Sequence, residues 1–183
     1  MKKTILLFAV ATSMTMISFG QDYLTRNGKI SFFSHTDVED IKAENNEVVS
    51  TINSKTGAME FKVAIKSFIF PKASMQQHFN DGRYMDSDKF PKAEFAGKIS
   101  NLKNINFKKD GTYKVTVEGK ITIKETTKDV KADGEVVIAN GVLTTKSVFN
   151  LNRKDYNVIG PSMVQNKIAD VLELTVDCIF EKL

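Results

Sequence analysis

The chain has 183 residues, with 26 Lys and Arg against 22 Asp and Glu, two His, one Cys and no Trp. That length suits a single domain with a full hydrophobic core. Charges of both signs are interspersed, and two of the bases, Lys2 and Lys3, sit in a terminal segment of their own. The basic stripe that nucleic-acid binding requires is missing, so no nucleic-acid partner is expected.

The first 20 residues read as a secretory leader. Lys2 and Lys3 precede an apolar stretch that runs from Ile5 to Phe19, diluted by Thr and Ser, and Ser18 and Gly20 are small residues at cleavage positions. Cutting between Gly20 and Gln21 leaves a domain over 21–183, periplasmic or secreted. The apolar stretch is too short and too interrupted for a span of about 20 apolar residues, so no stable membrane span remains after cleavage. No cysteine stands at the cut, which argues against a lipoprotein.

Period-two alternation dominates the rest of the chain. Weak strands are expected over 28–35 and 41–53. The turn Asn53-Ser54-Lys55-Thr56-Gly57 leads into a clear strand with Met59, Phe61, Val63 and Ile65 on one face. A short helix is expected over 73–81, between Pro71 and Gly82, and Pro91 precedes a strand over 93–105. Asp110-Gly111 and Asn140-Gly141 are two-residue hairpin signals. Between them Tyr113, Val115, Val117, Gly119, Ile121 and Ile123 alternate with polar residues, and a weaker strand covers 130–139. Strands over 141–152 and through Leu172, Leu174, Val176, Cys178 and Phe180 complete the series. The single cysteine forms no internal disulfide and falls on the apolar face of the last strand, as a buried core residue does.

About eight strands joined mostly by short turns form a meander. With no long helix to cover its apolar face, closing the sheet buries that face and removes both edges. The expected fold is all-β: a single closed antiparallel up-and-down barrel of about eight strands, lipocalin-like, with a short helical insertion near residues 72–90 capping its mouth. An eight-stranded barrel is just wide enough for packed side chains or one small ligand, and alternation is the same for a filled and a hollow interior.

Residues arranged for catalysis are scarce. His35 and His78 are the only histidines and have no partners at metal-ligand spacing, so no metal site is expected. No nucleophile elbow or phosphate-cradling glycine loop occurs. No catalytic residue is assigned. Phenylalanine is more telling: Phe61, Phe95, Phe149 and Phe180 all fall on apolar strand faces, as packed core or as the lining of a cavity.

Three blocks carry a family resemblance. The first is Ser67-Phe68, then Met75-Gln76-Gln77-His78-Phe79-Asn80, Tyr84-Met85-Asp86-Ser87-Asp88-Lys89-Phe90-Pro91 and Phe95-Ala96-Gly97. The second is Val117 to Lys124 with Thr127-Lys128-Asp129-Val130. The third is Phe149, Arg153, Asp155 and Tyr156, ahead of Ile168-Ala169-Asp170-Val171. With these the chain resembles the YceI-like family of polyisoprenoid-binding, lipocalin-like periplasmic proteins. It departs at Glu125 and Asn157, where the family often has glycine. The resemblance implies a barrel with an elongated apolar cavity, exported to the periplasm, whose partner is a small lipid: an isoprenoid, a polyprenyl phosphate or a quinone-like amphiphile. No other cofactor is implied. The cavity residues expected are Phe61, Phe68, Phe79, Phe95, Phe149 and Tyr156, with Arg83 and Arg153 to meet a head group at the mouth. Two alternatives stay open, a protein-interaction barrel with a filled core and a lipid-modifying enzyme using a histidine. A homodimer stays open as well.

Overall fold

A computed structural model describes residues 22–183; the expected leader and its cleavage point lie outside them. The described chain is a closed antiparallel barrel of eight strands in sequential order, the lipocalin-like up-and-down arrangement. The strands are β1 (Asp22–His35), β2 (Asp40–Asn53), β3 (Ala58–Ala64), β4 (Lys92–Ile99), β5 (Gly111–Ile123), β6 (Thr126–Ala139), β7 (Val142–Asn152) and β8 (Val171–Lys182). Pairing of β1 with β8, from Tyr23 against Lys182 to Phe33 against Glu173, closes the circle.

The clearest alternating segments became strands for the expected reason. On β3, Met59, Phe61 and Val63 are buried while Ala58, Glu60, Lys62 and Ala64 are exposed, one face dry and one wet. Turn chemistry holds at two places. The Asn53 side-chain oxygen accepts hydrogen bonds from the Lys55 and Thr56 amides at 3.1 and 2.8 Å, an Asx turn of the kind that starts a tight reversal. Asn140 and Gly141 both have positive φ, 51° and 79°, as a two-residue hairpin with the favoured twist demands.

Elsewhere the boundaries move. Strand β1 begins at least six residues before Gly28, because register shifts around Thr25, Gly28 and Ile30 break the alternation that would have marked it. Asp110-Gly111 is no hairpin turn: β4 ends at Ile99, and residues 100–110 cross the barrel end instead. Asn101 pins that crossing, donating to the Lys114 carbonyl and accepting from the Thr116 amide. The real β5–β6 turn is Lys124-Glu125, flanked by the pair Ile123 and Thr126. Its left-handed residue is Lys124, with φ 54°, so Glu125 escapes the strain that a glycine position would impose.

Two ends of unlike construction result. At the end that holds the 54–57, 100–110 and 140–141 turns, the interior is filled by Val48, Ile52, Ile138, Leu143, Cys178 and Phe180, each at most 4 % exposed. The other end is covered by two long segments. One, between β3 and β4, contains the helix α1 (Ala73–Asn80). The other, between β7 and β8, contains the 3-10 turns Arg153–Tyr156 and Ser162–Lys167. Asn157 ends the first of these with φ 56°, a conformation asparagine tolerates well.

Candidate functional site

Below the covered end lies a cavity of about 220 Å³. All six aromatic residues singled out from the sequence line it: Phe61, Phe68, Phe79, Phe95, Phe149 and Tyr156. Phe180, on the same strand parity as Phe61 and Phe149, is packed at the filled end and is 2 % exposed. Parity places a side chain inside the barrel; only its level along the axis decides whether it meets neighbours or a void.

The local packing explains how the rings are held. Phe61 and Phe95 are directly paired across β3 and β4, and their rings meet edge to face with centroids 6.0 Å apart, a favourable aromatic geometry. The Phe95 ring lies over the Gly97–Gly119 pair of β4 and β5. A Cβ at either glycine would come within 2.5–2.7 Å of that ring, so the two glycines make the room it occupies. Phe79, near the end of α1, packs against Phe32, Phe68 and Phe70 at 5.8, 5.4 and 5.0 Å. Phe32 also lines the cavity. It was missed because it sits in the weak Ser31-Phe32-Phe33-Ser34 stretch, where apolar residues are adjacent rather than alternating.

The lining is almost wholly apolar, and its polar groups are few. Thr145 is 7 % exposed and its hydroxyl has no hydrogen-bond partner among the described residues. Tyr156 is 4 % exposed, and burial, followed by the nearby Asp155 charge, pushes its phenol pKa up. It is therefore a neutral hydroxyl at any physiological pH.

The two arginines fare differently from the aromatics. Arg153 borders the cavity but is 3 % exposed. It donates to the carbonyls of Val158, Ile159, Ile168 and Ala169 and to Asp170 Oδ1, at 2.8, 2.8, 3.4, 3.0 and 2.9 Å. A guanidinium has five N–H donors, and these bonds use all of them to hold the 153–170 segment in shape. Arg83 lies outside the cavity lining, and its exposed guanidinium is paired with Asp81 at 2.9 Å. Arg153 thus organises a loop, and Arg83 grips its own turn.

The histidines lie away from the cavity. His35 Nδ1 is 2.6 Å from Asp40 Oδ1 on an exposed turn, stacked on Phe33, and His78 is exposed on α1. Among the described residues no three His, Cys, Asp or Glu side chains come together as a metal site. Cys178 is buried and its thiol is pushed up to about 11 by desolvation, the opposite of an activated nucleophile. No described helix is long and apolar enough to cross a membrane.

A closed barrel with an apolar chamber at one end, capped by two segments, defines a lipocalin-like barrel. The chain belongs to the YceI-like family, whose YceI-like domain profile matches residues 10–180. Solved structures share the fold at low identity. A polyisoprenoid-binding domain from Saccharophagus degradans, implicated in plant cell wall breakdown, superposes with a TM-score of 0.77 at 9 % identity, covering 90 % of this chain and 99 % of that one. Burkholderia cenocepacia BcnA gives 0.71 at 17 % identity, covering 84 % and 96 %. The Campylobacter jejuni YceI protein gives 0.63 at 14 % identity, covering 98 % and 100 %. No curated protein matches the chain by sequence.

Proposed function

We propose that the chain is an exported, non-enzymatic binding protein that holds an apolar or amphiphilic chain inside the barrel as carrier or store. An isoprenoid, a polyprenyl phosphate or a quinone-like lipid would suit it. The observation that carries this reading is the cavity, dressed with phenylalanines and nearly devoid of polar groups. Each methylene moved there from water contributes about 0.8 kcal/mol, so a tail of about ten carbons outweighs the ordering costs by several kcal/mol. The description of the Saccharophagus degradans structure as polyisoprenoid binding agrees with this reading, and so does the leader read from residues 1–20.

The test is native mass spectrometry of the protein purified from its own exported fraction, followed by organic extraction. The expected result is a discrete added mass that extracts as a prenyl or quinone lipid. Replacing Phe79 and Phe95 together by serine removes two cavity-lining rings; the double variant should lose that mass while keeping the β-sheet circular dichroism signal. A clean apo mass that persists after incubation with such lipids would overturn the reading and favour a barrel that works through its surface.

A further inference from the structure

The barrel wall is not paired along its whole length, and the flaw lies beside the cavity. Strands β5 and β6 pair from Gly111–Ile138 to Ile123–Thr126, and β7 and β8 pair from Leu143–Phe180 to Asn152–Val171. Strands β6 and β7, however, pair only over Gly134–Ala139 against Val142–Ser147. Below that point residues 126–133 of β6 are laddered only to β5, and residues 148–152 of β7 only to β8. The Ser147 hydroxyl marks the fork, donating to the Asp133 carbonyl at 2.7 Å where the next ladder bond would fall. Toward the far end of the wedge Tyr156 clusters with Ile121 and Leu151, and Val130 and Val158 pack against them.

A second parting shows what a sealed one looks like. Strands β2 and β3 pair only over Val49–Ile52 against Met59–Lys62. There, Glu44 and Ile69 exchange two backbone hydrogen bonds, 2.7 and 3.1 Å, and buried Asn45 donates to the Ala64 carbonyl at 2.8 Å. No backbone bridge of that kind spans the β6–β7 fork among the described residues.

The cavity reaches both lips of the fork. Ala132 and Val130 line it from β6, and Lys146, Ser147 and Phe149 line it from β7. Lys146 points outward by strand parity and is exposed, yet it borders the chamber, and it forms no ion pair among the described residues. Its cross-strand neighbours are Glu135 and Asp177, and these acids in turn stand opposite Lys114 and Lys29. Size points the same way. At about 220 Å³ the chamber is smaller than the roughly 300 Å³ at which pockets for drug-sized ligands begin. A long lipid cannot be enclosed entirely, and part of it must extend beyond the chamber.

We infer that the β6–β7 fork is the mouth of the cavity and that Lys146, at its lip, receives an anionic head group there, so that the lipid emerges sideways rather than through the α1 cap. This inference rests on the proposed lipid-binding function. Binding of farnesyl monophosphate and of uncharged farnesol, measured by isothermal titration, tests the two separately. In Lys146→Glu the phosphate should bind about tenfold or more weakly, the scale of a lost charged hydrogen bond, while farnesol binds as in the wild type. Arg83→Glu, at the cap, should leave both affinities unchanged. If Lys146→Glu binds both ligands normally, or if Arg83→Glu selectively weakens the phosphate, the head exits at the cap and the inference is overturned. If the wild type binds neither ligand, the lipid-binding reading itself fails and takes the mouth with it.

Discussion

The two halves of the barrel share strands, alternation and hydrophobic composition, yet one half is solid and the other hollow. At the filled end Phe180, Leu143, Ile52 and Val136 are at most 2 % exposed and Phe107 closes the base by stacking on Tyr23 at 5.9 Å. At the hollow end the same inward positions carry Phe149, Leu172 and Leu174, which are only half buried. The difference arises at the connections. Residues 100–110 fold across the filled end, with the Tyr113 hydroxyl donating to the Asn106 and Lys109 carbonyls, and push apolar groups into the barrel. The two segments at the other end mainly bind each other and the rim: Gly160 donates to the Arg83 carbonyl, Lys124 to the Tyr84 carbonyl, and Ala169 to buried Ser34. They roof the space more than they fill it.

The largest expected effect comes from attacking the solid half. Phe180→Ala should cost about 3–5 kcal/mol, transfer and cavity contributions together. Phe149→Ala, one strand over but facing the void, should cost about 1–2 kcal/mol, because much of its ring has no neighbour to lose. Urea unfolding of the two variants measures the contrast. Equal losses would mean that the hollow half is packed in solution. Lipid retention should follow the opposite order, with Phe149→Ala the more damaging.

Arg153 tests the roof. Arg153→Met removes the donor from four carbonyls and a carboxylate and leaves its buried site without a cation, and should destabilise by about 3 kcal/mol. Arg153→Lys should rescue little of it, since a single ammonium cannot reproduce a five-donor fork. Hydrogen exchange should show residues 157–169 losing protection while β1 and β8 keep theirs. Uniform loss across the barrel would show that the roof and the wall unfold as one unit.

The same contrast governs how much was legible in the residues. Strands β3, β5 and β8 were readable because one side of each is wet and the other dry, and the Asn140-Gly141 turn because its backbone conformation suits few residue pairs. The start of β1 was hidden by its irregular register at Thr25 to Ile30, and Asp110-Gly111 misled because such a dipeptide also serves at the start of a strand. The six cavity aromatics could be chosen from parity and family blocks, but their level along the axis could not, which is why Phe180 and Phe149 look alike in sequence. Nor could Arg153 be told from a surface arginine. Its five partners are mostly backbone carbonyls, which leave no trace in residue type. The β6–β7 fork depends on how many register pairs two strands share, and β6 alternates through Val130 and Ala132 whether or not a neighbour is bonded to it.

The smallest expected effect concerns acid, and it separates roof from wall without a mutation. Asp81 is held down to about 2, first by the hydrogen bond from the Arg83 guanidinium and then by that from the Arg83 amide. Asp170 is lowered as well, chiefly by the hydrogen bond from Lys154, with the Lys154 and Arg153 charges adding to it. Both carboxylates belong to the roof segments. A folded pKa below the ordinary 3.8 means that the proton binds the unfolded segment more tightly. The stabilisation is complete above about pH 4 and is lost as pH falls toward about 2. Both groups are solvent-exposed, so screening keeps the effect small. In an NMR titration the Arg83 amide, which donates to Asp81 Oδ1 at 2.9 Å, should shift with a midpoint near 2, while amides of β7 and β8 stay fixed through the same range. A midpoint at the ordinary carboxylate value would mean that the Asp81–Arg83 clasp is open in solution. Simultaneous movement of the β8 amides would mean that the roof cannot loosen without the wall.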